Sequence, residues 1–420
     1  MPRSRGSAAC EKREAKEESV PCRLVFCFFL FLAYFVLLTT TLLSSLQCTL
    51  KRSMPSQQFV EEYDLHEPLQ EQYFDAYTDL GVHRVMLADA SRMSFYRQAL
   101  TCEAVVRDRV VVDVGSGTGI LSMWAARAGA RHVFSIEASS LSLVQAQVID
   151  DNNMSDRITL LSETVEAVVL KGVESFIANY EGLLKGRGVS VIVSEWMGFY
   201  LLHEGMLPSV IRARNFFLEV NAKLGIACPI EMIPERATIW VAPMNCAAYY
   251  EERYRKFWGS VEGFDLSRYG KMEFETHLES TNPLIDTVPS SCLLHEGAIL
   301  AELELTSVPE EAVTSMCRAI HFNFCNSTAF QRHFGAAHPQ GVVVDGFTVW
   351  FEVGFREWAL NTSPWCPPTH WKQTTILLPA TARAEQLVAF TSPEATSEVE
   401  VRLVATDTAL RCYSIEFELK

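Results

Sequence analysis

The sequence predicts an α/β fold, with a Rossmann-like domain over residues 59–235 and a β-rich domain over residues 236–420. Three observations predict it. Short apolar runs alternate with helical patterns through the first half. A glycine loop, Gly115-Ser116-Gly117-Thr118-Gly119, stands between one such run and the helical pattern that follows it. After Pro234 the chain turns to short stretches that alternate apolar and polar residues, the period of half-buried strands.

Residues 1–23 form a tail of mixed charge, and residues 24–50 contain no charged side chain. A stretch of that length can span a bilayer as a helix. Read as a signal anchor or signal peptide, with six Lys or Arg before it and two just after, it keeps the N-terminus cytosolic and anchors the protein in a membrane. Translation from Met54 would omit it and leave a cytoplasmic or nuclear protein. Both readings stay open. The twelve cysteines include no Cys-x-x-Cys pair and fit buried reduced thiols rather than a metal site.

Residues 59–99 have helical spacing, interrupted by Pro68 and Gly81. Val110–Val114 reads as a strand, 120–128 as a helix closed by Gly129, and His132–Ile136, Ile158–Leu161 and 189–193 as further strands. Such alternation implies a parallel sheet with its site at the strands' C-terminal ends. In the second half, 238–242, 298–305, 341–354 and 399–406 read as strands, and 249–269 as helical.

The formal charge is −15, of which residues 1–53 carry +4 and residues 54–420 therefore −19. An acidic surface repels nucleic acid and attracts basic ligands such as Arg-rich protein tails, although charge alone serves solubility equally well. The glycine loop has Ile120 where a dinucleotide fold would want a third glycine, which favours a ligand without pyrophosphate. Glu137 stands 22 residues after Gly115, at the end of the next strand, where a carboxylate suits a ribose diol; a solvated strand end is the plainer alternative. Glu195 and Glu204 lie nine residues apart among Trp196, Met197, Tyr200 and Met206. Two carboxylates in so apolar a loop are costly unless a cation lies between them, and a planar guanidinium fits.

At this loop, and over some 350 residues from Tyr73 onward, the chain resembles the protein arginine N-methyltransferase family. Tyr73, Phe74, Tyr77, His83, Met86, Asp89, Arg92 and Tyr96 match its N-terminal helical segment, and 111–121 its cofactor loop. Glu163-Thr164-Val165-Glu166 matches the segment after its third strand, and Thr369-His370-Trp371 the loop that completes its pocket. The resemblance implies S-adenosyl-L-methionine as cofactor, a β-barrel as second domain and a head-to-tail homodimer joined by a helical arm at about 245–271. By the same resemblance, Arg92 and His83 hold the cofactor's carboxylate end, Gly115 its methionine part, Glu137 its ribose and Glu163 its adenine. Glu195 and Glu204 grip the substrate guanidinium, Met86, Met206, Tyr77 and Trp371 shape the acceptor pocket, and His370 supports the site with Asp89. Substrates would be basic proteins such as histone tails or Arg/Gly-rich segments. Met86, Met206 and Thr369-His370-Trp371 resemble type I members, which make monomethyl and asymmetric dimethyl arginine. Residues 171–188 and 220–231 depart from the family as insertions, the first of them read as a surface insertion. Competing readings are a methyltransferase of another acceptor and a membrane-tethered cofactor-binding pseudoenzyme.

Overall fold

The computed structural model describes residues 79–184, 186–279, 282–334, 342–378, 396–406 and 412–419. The tail, the apolar stretch at 24–50 and Tyr77 lie outside them. Among the described residues no helix is long and apolar enough to cross a membrane.

The expected helical run before the glycine loop is two helices, α1 (Leu80–Ala88) and α2 (Ala90–Thr101), with a short α3 (Glu103–Val106) after them. Asp89 breaks the run because its carboxylate accepts the Arg92 backbone N–H, capping α2. There follow β1 (Val110–Val114), α4 (Ile120–Arg127), β2 (His132–Ile136), α5 (Leu141–Asp151), β3 (Ile158–Leu161), α6 (Val165–Lys171), α7 (Val173–Leu184), β4 (Val189–Ser194), α8 (Leu207–Lys223) and β5 (Glu231–Ile233). The five strands form one parallel sheet in the order β3-β2-β1-β4-β5. Strands β1, β2 and β4 are buried throughout, as a sheet covered on both faces requires. The order reverses between β1 and β4, with Val114 beside Ser194, so the glycine loop after β1 and Glu195 after β4 emerge at the same switch point.

Both apparent insertions belong to this framework. Segment 171–188, expected on the surface, is mostly α7, with Val173, Phe176 and Leu184 buried. The Phe176 ring meets those of Phe134, Tyr180, Phe216 and Phe217 at centroid distances of 4.9 to 5.7 Å. In segment 220–231, Asn221 is 1% exposed. Its side chain accepts the Val189 N–H (2.8 Å) and donates to the Val189 carbonyl (2.6 Å), tying the end of α8 to β4. Lys223 reaches Glu174 of α7 at 2.8 Å, so the two departures pack against one another.

The second half holds β6 (Arg236–Met244), β7 (Leu284–Asp286), β8 (Ala298–Glu304), β9 (Ser315–Asn323), β10 (Gly346–Phe355), β11 (Trp358–Asn361), β12 (Gln373–Leu377), β13 (Thr396–Ala405) and β14 (Tyr413–Leu419). Where the resemblance implies a barrel, the described residues form two antiparallel sheets, β7-β12-β10-β6-β8 with β11 on β10, and β14-β13-β9. Their inner faces meet where Phe347 stacks on Phe417 at 4.4 Å. The helical stretch at 249–269 is broken. It comprises α9 (Ala247–Tyr250), a π turn (Glu251–Arg255) and α10 (Lys256–Trp258), then a turn through Glu262 and Gly263 with positive φ, then α11 (Ser267–Glu279). The left-handed turn suits Gly263 and explains why one helix cannot run through. Phe257, Phe264, Tyr269 and Met272 of this arm are 55 to 70% exposed.

Arginine contacts help tie the halves together. Buried Arg214 of α8 donates to the carbonyls of Leu305 (2.7 Å) and Val308 (2.9 Å), beyond β8. Glu231 pairs with Arg109 ahead of β1 and with Arg356 between β10 and β11. Asn221→Ala should cost about 2 to 4 kcal/mol in urea unfolding, because it strands both backbone groups of Val189 in the interior. A loss under about 0.5 kcal/mol would show that this tie does not hold the segment.

Candidate active site

The site is built where the glycine loop, the segment after β4 and the start of α2 converge. Gly115, Gly117 and Gly119 all have positive φ (+70°, +54° and +76°), which bends the loop so that its backbone lines the opening. A Cβ on Gly115 would collide with Cε of Met206, and one on Gly117 would come 3.1 Å from the His83 ring, itself 5% exposed. Gly117 donates to Glu137 Oε2 (2.6 Å), while Glu137 Oε1 accepts from the Ser139 N–H (2.8 Å). Each oxygen of this buried carboxylate keeps acceptor capacity for a hydroxyl.

Arg92 and Glu195 form a buried ion pair, with side chains 8% and 9% exposed. Arg92 Nε (3.1 Å) and Nη2 (3.0 Å) both donate to Oε2, so neither contact falls on Oε1. Breaking one half of such a pair costs far more than forming it returns, because the other charge stays buried. The segment that carries Glu195 is pinned at two further points. Tyr96 of α2 donates to the Ser194 carbonyl at 3.0 Å, and Trp371 donates from its indole nitrogen to the Met197 carbonyl at 2.8 Å. Burial, with Glu195 adding to it, drives the Tyr96 hydroxyl well above its usual pKa, so it remains a donor.

Beyond Met197 the chain forms a tight hairpin bridged between Gly198 and Leu201. Leu201 (φ +80°) and Glu204 (φ +77°) both take left-handed backbone that such residues rarely adopt. A Cβ on Gly198 would strike the His203 carbonyl, so only glycine closes this turn. His203 is 4% exposed, and burial pushes its pKa down to about 4, which keeps it neutral beside Phe199 and Tyr200. Tyr200 in turn accepts the Tyr413 backbone N–H at 3.1 Å, anchoring the hairpin to β14.

The Asp89 carboxylate does double duty. Its Oδ1 caps α2, and its Oδ2 accepts from the His370 backbone N–H (2.8 Å) and meets His370 Nδ1 (2.7 Å). Burial raises its pKa, but the His370 hydrogen bond and the two backbone donors outweigh it and hold the carboxyl below its ordinary value. The bond at Nδ1 leaves Nε2 as the imidazole nitrogen not engaged by Asp89.

Most residues singled out from sequence thus meet, through Arg92–Glu195, His370–Asp89, Met206 at Gly115, and His83 and Glu137 at Gly117. Trp371, expected to line the acceptor pocket, is 3% exposed and braces Met197; Met86 is 9% exposed. Glu163, placed after β3, is engaged by Lys171. The sequence reading placed Asp113 within the cofactor loop but gave it no role; it is fully buried at the end of β1. Its Oδ2 accepts from Ser122 (2.7 Å), and its Oδ1 has no partner among the described residues. The available signal was an acid inside the run Val110-Val111-Val112-Asp113-Val114, where an unpaired charge is expensive.

Two family models match the chain. One is the arginine methyltransferase oligomerization subdomain, over residues 235–418. The other is ribosomal protein L11 methyltransferase (PrmA), over residues 98–180. Protein arginine N-methyltransferase 1 of Schizosaccharomyces pombe is 34% identical over 72% of this chain and 78% of its own length. Protein arginine N-methyltransferase 6 of Xenopus tropicalis is 32% identical over 75% and 83%. A crystal structure of PRMT6 with SAH is 57% identical and superposes with a TM-score of 0.78, covering 81% of this chain and all of that one. The run Leu201-Leu202-His203-Glu204 also resembles protein arginine N-methyltransferase 6.

Burial, opposed by the Ser122 hydrogen bonds, raises the Asp113 pKa from 3.8 to about 7. Between those values the folded chain holds a proton that the unfolded chain does not. Asp113 therefore favours folding at acid pH, and that contribution is lost as pH rises through about 7. Asp113→Asn should accordingly raise the melting temperature relative to wild type by about 2 °C more at pH 8 than at pH 5.5. A difference independent of pH would mean that Asp113 is not the titrating group.

Proposed function

Because the chain belongs to the protein arginine N-methyltransferase family, we propose that it methylates arginine side chains of basic proteins from S-adenosyl-L-methionine, giving monomethyl and asymmetric dimethyl arginine. The observation that carries this reading is Glu195, buried beside the glycine loop and held through Oε2 by Arg92, with Oε1 left to meet a guanidinium.

The residues at the switch point fit that cofactor. A glycine cradle that a Cβ would fill, a buried carboxylate with an orphaned Oδ1 and a second carboxylate at the end of β2 match a ligand with an ammonium group and a ribose diol. Asp113 Oδ1 would take the ammonium, Glu137 the ribose hydroxyls and Gly115 the methionine backbone. His83 and Arg92 would close the carboxylate end, and Glu163 would reach the adenine. Bound there, S-adenosylmethionine supplies a methyl group on a sulfonium, an electrophile that needs no further activation.

The chain's own residues must then prepare the acceptor. A guanidinium has its charge spread over three nitrogens and a pKa above about 12, so it is a weak nucleophile. Glu195 Oε1 and the Glu204 carboxylate would pair with its N–H groups, fix its plane and draw positive charge away from the attacking nitrogen. The left-handed backbone at Glu204 and the braces on Met197 hold this geometry before substrate arrives, which is where most of the advantage of preorganisation lies. Met206, in contact with Gly115, sets the wall between acceptor and cofactor. His370 Nε2, the nitrogen not bonded to Asp89, would receive the proton released by the methylated nitrogen, with Asp89 stabilising the imidazolium that forms.

The matches at Met86, Met206 and Thr369-His370-Trp371 support the asymmetric dimethyl product. The apolar arm of α9 to α11 supports a homodimer, since four large apolar side chains more than half exposed are costly without a partner surface.

Incubated with labelled S-adenosylmethionine and an Arg/Gly-rich peptide, the protein should yield asymmetric dimethylarginine by mass spectrometry. Symmetric or solely monomethyl product would overturn the type, and cofactor binding without any arginine product would favour another acceptor. Glu195→Gln and Glu204→Gln should each cut turnover by about 100-fold or more while Glu204→Gln leaves S-adenosylhomocysteine affinity within about threefold. Near-normal turnover in either variant would remove the clamp from the mechanism.

A further inference from the structure

A buried chain of hydrogen bonds runs beneath the glycine loop. Gln145 of α5 places Nε2 2.8 Å from Ser116 Oγ and 3.1 Å from Ser135 Oγ. Ser135 Oγ lies 2.9 Å from Ser122 Oγ, which lies 2.7 Å from Asp113 Oδ2. All five residues are 5% exposed or less. The loop closes directly over the amide, since a Cβ on Gly119 would come 2.7 Å from Gln145 Nε2.

The protons in this chain can be assigned. A serine hydroxyl carries one proton, and a carboxylate only accepts. In the ionised form of Asp113 that a bound ammonium group favours, the single Ser122 proton goes to Asp113, so Ser122 accepts from Ser135, which in turn accepts from the Gln145 amide. The direction of the whole chain is therefore set at Gln145, which supplies two N–H donors and sends one to each serine. Its Oε1 has no partner among the described residues. Turning the amide over would leave both N–H groups facing no acceptor instead of one carbonyl oxygen, and the larger desolvation cost selects the orientation described.

We propose that Gln145 is a positioning residue for the cofactor. It aims the serine hydroxyls so that Ser122 holds Asp113 by Oδ2 alone, and it holds Ser116 in the loop, leaving Asp113 Oδ1 as acceptor for the ammonium group of S-adenosylmethionine. The inference rests on the cofactor assigned under the proposed function. Other ionisable groups around Asp113 are Arg92 and Tyr96 on α2 and Glu137 after β2; Arg92 favours the carboxylate, while Tyr96 and Glu137 do not provide it with a positive partner. The hydroxyl chain is thus the neutral support that Asp113 has from the α4 and α5 side.

The test is calorimetric titration of S-adenosylhomocysteine, which carries the same ammonium group, into the full chain. Gln145→Met and Ser135→Ala should each weaken binding by about tenfold. The double variant should be no more than about threefold weaker than either, because both break one chain. Gln145→Glu accepts where glutamine donates, so its loss relative to wild type should be several-fold greater at pH 8 than at pH 6, where protonation restores a donor. The proposal is overturned if Gln145→Met binds like wild type, if the single losses multiply in the double variant, or if Gln145→Glu follows wild type at both pH values. Should Gln145→Glu fail to fold by circular dichroism, the Met/Ala cycle decides alone. If wild type itself binds no S-adenosylhomocysteine, the cofactor reading falls and this inference with it, a result set apart because the parent rather than the variants fails.

Discussion

The Asp89 carboxylate is the contact on which the site's geometry depends. One oxygen starts α2, and the other fixes the Thr369-His370-Trp371 loop from the far half of the chain. From that start α2 presents Arg92 to Glu195 and Tyr96 to the Ser194 carbonyl. From that loop Trp371 reaches the Met197 carbonyl. The segment after β4 is thus gripped from both sides by elements that share a single anchor. A carboxylate with three donors and almost no exposure is affordable because each lone pair it uses is met.

The same logic runs through the rest of the site. Its charges are buried in small, nearly closed sets: Arg92 with Glu195, Asp89 with His370, Asp113 with Ser122. What each set leaves over is informative. Glu195 Oε1 lies outside the Arg92 contacts, His370 Nε2 is the nitrogen not turned to Asp89, and Asp113 Oδ1 has no partner among the described residues. In a low-dielectric interior an unspent acceptor is expensive, so such atoms are where a ligand with matching groups gains most. The left-handed residues Leu201 and Glu204 belong to the same account, as local strain held in place by Gly198, Tyr200 and the Tyr413 backbone.

Departures from the family pattern prove structural. Segments 171–188 and 220–231 read as additions because they interrupt the spacing between recognisable motifs. In three dimensions the first delivers Phe176 to an aromatic cluster under β2 and the second delivers Asn221 to the backbone of β4. Aromatic residues in 171–188 could have signalled burial, but the contact partners Phe134, Phe216 and Phe217 are too far off in sequence to be read from it.

By itself the sequence determined the strand pattern, the glycine loop and the glutamate hairpin, because periodicity, the need for positive φ and the cost of apolar carboxylates are local properties of a chain. Strands β1 to β4 fall where the apolar runs lie, and Glu137 stands at the end of β2. Only the tertiary structure decided which side chains meet. It set Arg92 on Glu195, buried Trp371 as a brace and turned Asp113, an inconspicuous acid in a strand, into the end of a hydrogen-bonded chain that starts at Gln145. Those outcomes depend on proton counts and contacts between residues tens to hundreds of positions apart, and such pairings exist only once the chain has folded.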